Sequence, residues 1–578
     1  MINKFGSMKF FLFYLCISIF YTFPLLLIGN QFLIGHGGFD AFAYMWNTHT
    51  FWENITHLQT PFYTRDVFYP LGANLLFSDS SPLVSFFGFL FLRLPVLYIN
   101  LVVVIGLTFS AFFCFLLVRK ITQLNSYLSF LCGLVYGFSP TLWSFIEVQH
   151  NYYLIASAFL PLSLLLLVSF LEQPQRYLKR FIIVQFLFFF TNYYFFILNG
   201  FINVLFISIF LVTQKELRNT LLSYTNRAYC RSAVILFIVC ISITGFILFM
   251  NFSGWSGLAK EGGNYAARCN ANLAGIILLR STMQKLGYSE NGDTPVYYVG
   301  LVFLILAVCA LFLCWRHKYV LPITVSLLMV FFLSLGLEVR FGDYVIAKDS
   351  LTPFYYLAKL PGLGLIDCPI RFMAAVHLFL ALLIGVLLKQ LFQPHRKLVW
   401  LIVFVCILSF FSDYSIGKFS FVEVTVPDTY RYLEEQKDGR TVLELSSGLT
   451  ESKGGFGYDY SIEGLHTRQM YWQTLYNKPR IGGYISRIPD ETYDYFKSEL
   501  ILGDIFRMTS YQGEWPGRTF TTDEVTAFLS RFNLGYIVIA PTNRQNLYRQ
   551  TVEKLLFGIR YEKTEDSAHY ILYELSDN

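Results

Sequence analysis

Long apolar stretches recur along this chain of 578 residues, and they constrain its fold more than any other feature. Each stretch is about long enough to cross a hydrocarbon core of roughly 30 Å. Soluble domains do not repeat such segments, and the 55% share of hydrophobic residues agrees with a membrane protein. We therefore predict eleven spans, at residues 10–28, 98–118, 127–146, 153–171, 181–197, 198–213, 232–250, 296–314, 320–337, 372–388 and 398–412.

Three of these apolar segments need interpretation. The first lacks a small-residue cleavage site, so we interpret it as a retained span and not as a signal peptide. The run 181–213 is too long for one helix and has basic flanks, which indicates a hairpin turning near Asn192–Gly200. Residues 82–92 are apolar but short, and we expect an interfacial or re-entrant helix there. If they span instead, the count becomes twelve.

Charge divides the chain into two parts. Residues 1–412 contain 26 Lys and Arg and 14 Asp and Glu, whereas residues 413–578 contain 18 and 24, a much higher density. We expect a transmembrane domain at 1–412, with long outer loops at 29–97, 251–295 and 338–371. Residues 413–578 are expected to form a small soluble α/β domain, with strands near 441–447, 536–541 and 570–575 and helices such as 491–502 and 545–556.

The basic residues predict the orientation. One set of loops holds 16 of the 26 basic residues of the membrane part and only two of its acids, Glu172 and Glu216. Because Lys and Arg concentrate in cytoplasmic loops, this set should face the cytoplasm. The N-terminus is then inside and residues 413–578 outside, in a multi-pass protein of the inner (cytoplasmic) membrane.

The outer loops carry the candidate site residues. Asp40 follows the first span in GGFDAFAYMW (37–46), and Asp66 lies in a loop rich in aromatic residues, Pro and Gly. Glu147 and His150 are three residues apart, so on a helix they would share a face. The remaining candidates are basic, and they are Arg268, Arg280 and Arg371.

These residue types suit group transfer to a hydroxyl. A carboxylate such as Asp40 can act as general base on the hydroxyl. Arg371, with Arg268 or Arg280, can hold a phosphate leaving group. Simpler interpretations stay open: Asp40 as a solvated loop acid, Asp66 as a turn cap, Glu147 as loop charge, His150 as a structural histidine, and Arg371 as a side chain reaching the membrane interface.

Several functional classes are excluded by motifs that the sequence lacks. No GxxxxGK[ST] or strand-associated GxGxxG occurs, and the predicted cytoplasmic loops are short, so substrates should come from the membrane or the outer compartment. We expect no nucleic-acid partner. No HExxH, paired CxxC or GxSxG is present, so we assign no metal ligand and expect no cofactor, with a divalent metal left open. Of ten cysteines, Cys269 and Cys368 lie in outer loops, where a disulfide between them is one interpretation.

The order of these features resembles the GT-C superfamily of polytopic glycosyltransferases. An Asp follows the first span, an aromatic-rich outer loop comes next, and many spans precede an outer C-terminal region. The resemblance rests on the segments PFYTRDVFYPLGANL (61–75), SPTLWSFIEVQHNYYLIASAFLPL (139–162), PGLGLIDCPIRFM (361–373) and MYWQTLYNKPRIGGYISRIP (470–489). It covers most of the chain and extends to a large set of poorly characterised bacterial GT-C-like proteins.

The resemblance implies a catalytic base and a class of donor. In that superfamily the first-loop Asp is implicated in catalysis, which assigns the role to Asp40, and the donor is usually a polyprenyl-phosphate sugar. The acidic pairs that bind metal in oligosaccharyltransferases are missing from the second outer loop, where Glu147 stands alone. A metal-dependent mechanism is therefore in doubt.

We expect a mainly α, polytopic helical bundle that acts as a glycosyltransferase for a hexosyl or pentosyl group. It would move the sugar from a polyprenyl-phosphate carrier to an envelope glycan, lipid or protein acceptor at the outer face of the membrane. Two alternatives stay open, a transporter or flippase of lipid-linked glycan and an envelope glycan polymerase or ligase. A transporter should show internal repeats and polar residues midway through its spans, and the sequence shows few such residues and no obvious repeat.

The orientation can be tested with reporter fusions at Gln214, Arg316 and Asn578. The charge asymmetry predicts a cytoplasmic signal at the first two positions and an outer-face signal at the third. A cytoplasmic signal at Asn578 would overturn both the span count and the assignment of the chemistry to the outer face.

Overall fold

The computed structural model describes the chain in segments. They are residues 4–35, 40–75, 80–214, 238, 269–278, 298–359, 366, 368–392, 395–413, 419–445, 447–451, 454–459, 461–462, 464–510 and 518–576. The chain divides into two compact units. One contains most of the apolar helices, and the other joins residues 39–95 to the segment that begins at residue 423.

The first unit is built from apolar helices. Its strands are Phe32–Ile34, Glu338–Phe341 and Tyr344–Lys348, and the last two pair as an antiparallel hairpin. Short 3-10 turns lie at Asp349–Leu351 and Pro369–Phe372. The helices are Lys4–Tyr21, Leu25–Ile28, Pro95–Thr122, Ser126–Gly137, Pro140–Glu147, Asn151–Glu172, Pro174–Phe189, Tyr193–Thr213, Leu273–Ile277, Leu301–Leu313, Val320–Ser334, Pro353–Ala358, Met373–Phe392 and Arg396–Asp413.

Four helical segments among the described residues are long and apolar enough to cross a membrane: Pro95–Thr122, Asn151–Glu172, Tyr193–Thr213 and Pro369–Phe392. The bent pair Ser126–Gly137 and Pro140–Glu147, with 42° between its halves, raises the count to five if it forms one span. Shorter apolar helices coincide with other predicted spans, and the predicted span 232–250 lies outside the described residues. The protein is thus a membrane protein, while the number of eleven spans stays a prediction.

Three local expectations need correction. The first apolar run is broken, because Pro24 cannot continue the helix that ends at Tyr21. The hairpin within 181–213 turns at residues 190–192, just before the predicted turn, where Asn192 caps the next helix by accepting a hydrogen bond from the Phe195 N–H. Glu147 ends one helix and His150 precedes the next, so they do not share a helical face.

The second unit contains mixed sheets and helices. Its four-stranded sheet places Thr441–Leu445 parallel to Leu534–Ile539, which is antiparallel to Ile571–Leu575, and Tyr561–Glu565 completes the other edge. A second sheet orders Gly483–Tyr484, Leu449–Glu451 and Gly454–Phe456, and a small hairpin pairs Tyr63–Thr64 with Ala73–Asn74. The strand Phe421–Glu423 precedes this part of the chain. The helices are Asp40–Thr56, Pro82–Phe87, Asp428–Glu435, Leu465–Tyr476, Asp490–Ser498, Leu500–Thr509, Thr522–Arg531 and Gln545–Leu555, with a 3-10 turn at Gly88–Phe91.

Two helices of this unit position the candidate site, and we call Asp40–Thr56 the Asp40 helix and Leu465–Tyr476 the His466 helix. They pack against each other. The indole Nε1 of buried Trp46 donates to Oε1 of Gln473 across the contact, at 2.7 Å. From the sequence we expected a loop at these residues. Their run DAFAYMWNTHTFW nevertheless carries apolar side chains at helical spacing.

The pair Gly482–Gly483 permits a close backbone approach. A Cβ atom at Gly482 would lie 2.5 Å from the carbonyl oxygen of Gly448, and one at Gly483 would lie 2.8 Å from Cβ of Val67. The peptide N–H of Phe68 donates to the carbonyl of Gly482 at 3.2 Å. Larger residues would therefore separate the segment that follows Asp66 from its neighbours.

A buried ion pair holds the interior of the second unit. Arg480 Nη2 contacts Glu444 Oε2, and both side chains are 1% exposed. Tyr430 donates its hydroxyl to the other carboxylate oxygen at 2.8 Å, and Arg480 also donates to Ser447 Oγ at 3.0 Å. Burial raises the pKa of Glu444, and the charge of Arg480 and the tyrosine hydrogen bond oppose that rise.

We predict that Arg480→Ala destabilises the protein by about 3–5 kcal/mol, because it leaves Glu444 buried without its counter-charge. The exposed Arg431 of the same unit provides the control, and Arg431→Ala should change stability by less than about 0.5 kcal/mol. Thermal unfolding of the purified protein in detergent compares the two. Equal melting temperatures for both variants would contradict a structural role for the pair.

Candidate functional site

Asp40 lies in the first turn of the Asp40 helix and is half-buried. The eight residues that follow it, from Ala41 to Thr48, are all buried. A carboxylate at a helix N-terminus is stabilised by the helix dipole, typically by about 0.3–1 kcal/mol. The burial of the following turns fixes the direction in which the helix presents this carboxylate.

His466 and Arg468 of the His466 helix lie on the same side as Asp40. The negative charge of Asp40 is close enough to raise the pKa of His466, and the guanidinium carbon of Arg468 lies 5.9 Å from the ring centroid of Phe42. His466 Nδ1 is 3.0 Å from the hydroxyl of Tyr458, and its ring packs against the rings of Tyr458 and Tyr484.

His466 is uncharged at neutral pH. Burial is the largest cause and lowers its pKa to about 4, the charge of Asp40 opposes that shift, and the charge of Arg480 adds to it. A neutral imidazole does not neutralise a nearby carboxylate. His466 therefore does not supply a counter-charge to Asp40 near neutral pH.

Asp66 lies further along the same unit, at a cleft with a volume of about 600 Å³. Its Oδ2 accepts a hydrogen bond from the hydroxyl of Thr64 at 2.6 Å. Burial raises the pKa of Asp66, the Thr64 hydrogen bond lowers it, and the nearby charge of Glu53 raises it further. Asp66 thus makes the local hydrogen bond expected of a residue that caps a turn, and it also lines an accessible cleft.

Arg371 lies in the first unit, in the 3-10 turn before the helix Met373–Phe392. It is 9% exposed, which does not fit a side chain extended into water. Its Nη1 donates to the hydroxyl of Tyr153 at 2.6 Å. Its guanidinium carbon lies 4.4 Å from the ring centroid of Tyr153 and 5.6 Å from that of Tyr194, within the range of cation–π attraction.

The structure brings His150 to the same tyrosine. The rings of His150 and Tyr153 meet edge-on with centroids 5.4 Å apart. Glu147 is buried at the end of the preceding helix. Two basic side chains and several aromatic rings thus occupy one region of the first unit, which suits a ligand with an anionic group.

Two predicted site residues, Arg268 and Arg280, lie outside the described residues. Cys269 and Cys368 are not joined by a disulfide in this structure, so that interpretation of the pair is wrong. Among the described residues, no three His, Cys, Asp or Glu side chains form a group that could hold a metal ion.

Sequence reasoning missed the partners of both charged residues. The triplet NYY occurs at 151–153 and again at 192–194, and each copy supplies one tyrosine to Arg371. The repeated triplet is a sequence signal that could have pointed to these two tyrosines. His466 and Arg468 carried none, because they are separated from Asp40 by more than four hundred residues.

Comparison with known proteins gives a family and a fold. The family model described as "Domain of unknown function (DUF6311)" matches residues 10–430. No curated protein matches the sequence. Solved structures that resemble the chain are GT-C glycosyltransferases, which confirms the expected resemblance at the level of the fold.

Two structures illustrate the similarity. The arabinofuranosyltransferase AftD from Mycobacteria has a TM-score of 0.58 and 12% identity, over 99% of this chain and 40% of AftD. ArnT from Cupriavidus metallidurans, solved bound to undecaprenyl phosphate, has a TM-score of 0.50 and 9% identity, over 97% of each chain. This chain thus spans less than half the length of AftD and nearly the whole length of ArnT.

We predict that acidification destabilises the protein through His466. Its folded pKa is lower than its unfolded value, so the unfolded chain binds more protons between about pH 6.5 and 4. The stability is fully present above that window and falls as the pH decreases through it, by at most about 1.4 kcal/mol per pH unit. His466→Gln should reduce the difference in melting temperature between pH 7 and pH 5.

The control for this measurement is His569→Gln, because the side chain of His569 is 74% exposed. It should leave the pH difference of the wild type almost unchanged. Asp40→Asn should deepen the loss at low pH, since the Asp40 charge raises the pKa of His466. An unchanged pH difference in His466→Gln would contradict the assignment.

Proposed function

Because this chain belongs to the DUF6311 family and has the GT-C fold, we propose that it is an integral-membrane glycosyltransferase acting at the outer face of the inner membrane. It moves a hexosyl or pentosyl group from a polyprenyl-phosphate carrier to a cell-envelope acceptor. The observation that carries the proposal is the position of Asp40. It begins a buried helix after the first apolar helix of the fold, beside an uncharged histidine.

The proposed reaction is a displacement at the anomeric carbon. An acceptor hydroxyl attacks that carbon, a new C–O bond forms, and the bond to the lipid phosphate breaks with its electron pair on the phosphate. Asp40 takes the hydroxyl proton as general base. His466 does not compete for this proton near neutral pH, since its pKa is about 4.

Arg371 is the proposed partner of the departing phosphate. Its guanidinium keeps its charge when buried, and it presents several N–H donors in a plane. One donor is used by Tyr153, whose ring and that of Tyr194 also support the cation. We place His150 and Glu147 in the lining of the same region, with Arg268 or Arg280 as a second cation.

A donor with a lipid phosphate is supported by one protein of this fold, since ArnT binds undecaprenyl phosphate. A charged side chain inside a membrane protein is costly unless it is paired or functional. We therefore infer that the guanidinium of Arg371, which lies among aromatic rings, binds such a phosphate. Polymerase or ligase chemistry would use a lipid-diphosphate glycan instead, and donor specificity separates the two.

One observation favours a second function, transport of lipid-linked glycan. The apolar pair Ser126–Gly137 and Pro140–Glu147 is bent by 42°, and transporters often build binding sites at broken helices. A flippase would move the lipid-linked sugar without consuming it. Measuring both sugar transfer and translocation in reconstituted vesicles distinguishes the alternatives.

We predict that Asp40→Asn lowers sugar transfer by about 10²–10⁴-fold, because the amide keeps the size of the side chain but cannot accept the proton. Asp40→Glu displaces the carboxylate, which can cost about 10²-fold. The measurement is transfer of labelled sugar from a polyprenyl-phosphate donor in membranes, with the envelope glycan of producing cells as a second readout.

Asp490→Asn is the matched control, since Asp490 is an exposed acid in the first turn of another helix of the same unit. It removes a comparable helix–dipole interaction and should retain full transfer. Full activity of Asp40→Asn would remove the base assignment and leave Asp40 as a helix-stabilising acid.

A further inference from the structure

The cleft beside Asp66 lies at the opposite end of the Asp40 helix from Asp40. It is bounded by Glu53 and Asn54 of that helix and by the strand Tyr63–Thr64, and its volume is about 600 Å³. Small-molecule sites usually occupy about 300–1,000 Å³. Glu53 follows Asp40 by thirteen residues, so the helix separates the two by about 20 Å.

The lining of the cleft is unusual for a pocket. Nine residues line it, and all nine have polar side chains. They combine amides, hydroxyls and carboxylates, represented by Asn54, Gln59, Thr64 and Asp66. Ligand pockets are more often lined mainly by apolar groups. A ligand that fits here meets hydrogen-bonding groups at several points and, between them, the carbon atoms of the same side chains.

The charges of the lining disfavour an anionic ligand. Glu53 and Asp66 face only one permanently charged cation of the lining, Arg65. His49 Nδ1 lies 3.6 Å from Glu53 Oε2, and burial lowers the pKa of His49, although the charges of Glu53 and Asp66 oppose that shift. A phosphate or carboxylate would meet repulsion here. Neutral hydroxyls, which both donate and accept hydrogen bonds, match the mixture of donors and acceptors.

The walls of the cleft are held in place by contacts within the second unit. Asn54 Nδ2 donates to the carbonyl of Tyr63 at 2.9 Å, and Asn477 Nδ2 donates to Glu53 Oε1 at 2.6 Å. The carbonyl of Asp66 accepts from the Arg480 N–H at 2.8 Å. A cleft formed before its ligand arrives loses less entropy on binding.

We propose that this cleft binds a sugar unit of a neutral glycan acceptor. The proposal rests on the proposed function and specifies the acceptor as an oligosaccharide or polysaccharide. Because the cleft is about 20 Å from Asp40 along the helix, the bound unit is remote from the reacting hydroxyl, and a single sugar cannot occupy both places. The carboxylates of Glu53 and Asp66 accept hydrogen bonds from sugar hydroxyls.

The test is binding of the full-length protein in detergent to an array of bacterial oligosaccharides, followed by titration of the glycans that bind. Gln59→Trp places a large side chain at the lining from an exposed position. It should weaken glycan binding by about tenfold or more, by filling part of the cleft. The matched control is Leu58→Trp, because Leu58 is the preceding residue, is 96% exposed and is not part of the lining.

We expect the wild type to bind at least one neutral glycan, with Leu58→Trp binding equally well. No binding to any arrayed glycan, binding only of sulfated or phosphorylated glycans or of a polyamine probe, or equal binding by Gln59→Trp would overturn the proposal. The two proposals fail differently. If Asp40→Asn retains sugar transfer, the base assignment is wrong, and this result says nothing about the cleft. If Gln59→Trp binds glycan as well as the wild type does, the cleft proposal is wrong, and this result says nothing about the base.

Discussion

One amide side chain connects the parts of the second unit on which both of its candidate sites depend. Gln473 accepts from the indole of Trp46 at 2.7 Å and donates to the carbonyls of Asp66 at 2.5 Å and Lys478 at 3.0 Å. An amide offers two N–H donors and one carbonyl acceptor, so these three contacts use both ends of the group. Since the side chain is buried, each bond is costly to lose.

Burial of charge organises the two units in different ways. In the second unit Arg480 meets a carboxylate, and the hydroxyls of Tyr430 and Ser447 each form a hydrogen bond with one member of the pair. In the first unit Arg371 meets tyrosines, with one hydroxyl as hydrogen-bond acceptor. Arg480 contacts a buried carboxylate, whereas the contacts of Arg371 include two tyrosine rings in cation–π geometry. That difference is why we assign a structural role to Arg480 and a ligand-binding role to Arg371.

The sequence was informative wherever a single segment determines its own structure. The helices Pro95–Thr122 and Asn151–Glu172 cover their predicted spans, and the strands Thr441–Leu445 and Ile571–Leu575 lie within the segments predicted as strands. The Asp40 helix was missed because residues 29–97 were assigned to a long outer loop. The pairing of Trp46 with Gln473, 427 residues apart, has no local pattern, and neither does the approach of His466 to Asp40.

The candidate site residues were named one by one from the sequence, and their roles stay predictions, whereas their arrangement could not be predicted. Asp40 was singled out as a lone acid in the loop after the first span, and Arg371 as a charged residue at the mouth of a later span, where a charge is costly unless it is solvated or functional. What surrounds each charge was not identifiable, since burial and hydrogen bonding are set by tertiary contacts. The proposed acceptor cleft and the proposed base lie on the same helix. The tertiary contacts that hold this helix therefore affect both acceptor binding and catalysis. Binding energy gained about 20 Å from the reacting atom can be used to orient that atom only if the connection is rigid. A helix whose first turns are buried, and which Gln473 fastens to its neighbours, supplies that rigidity.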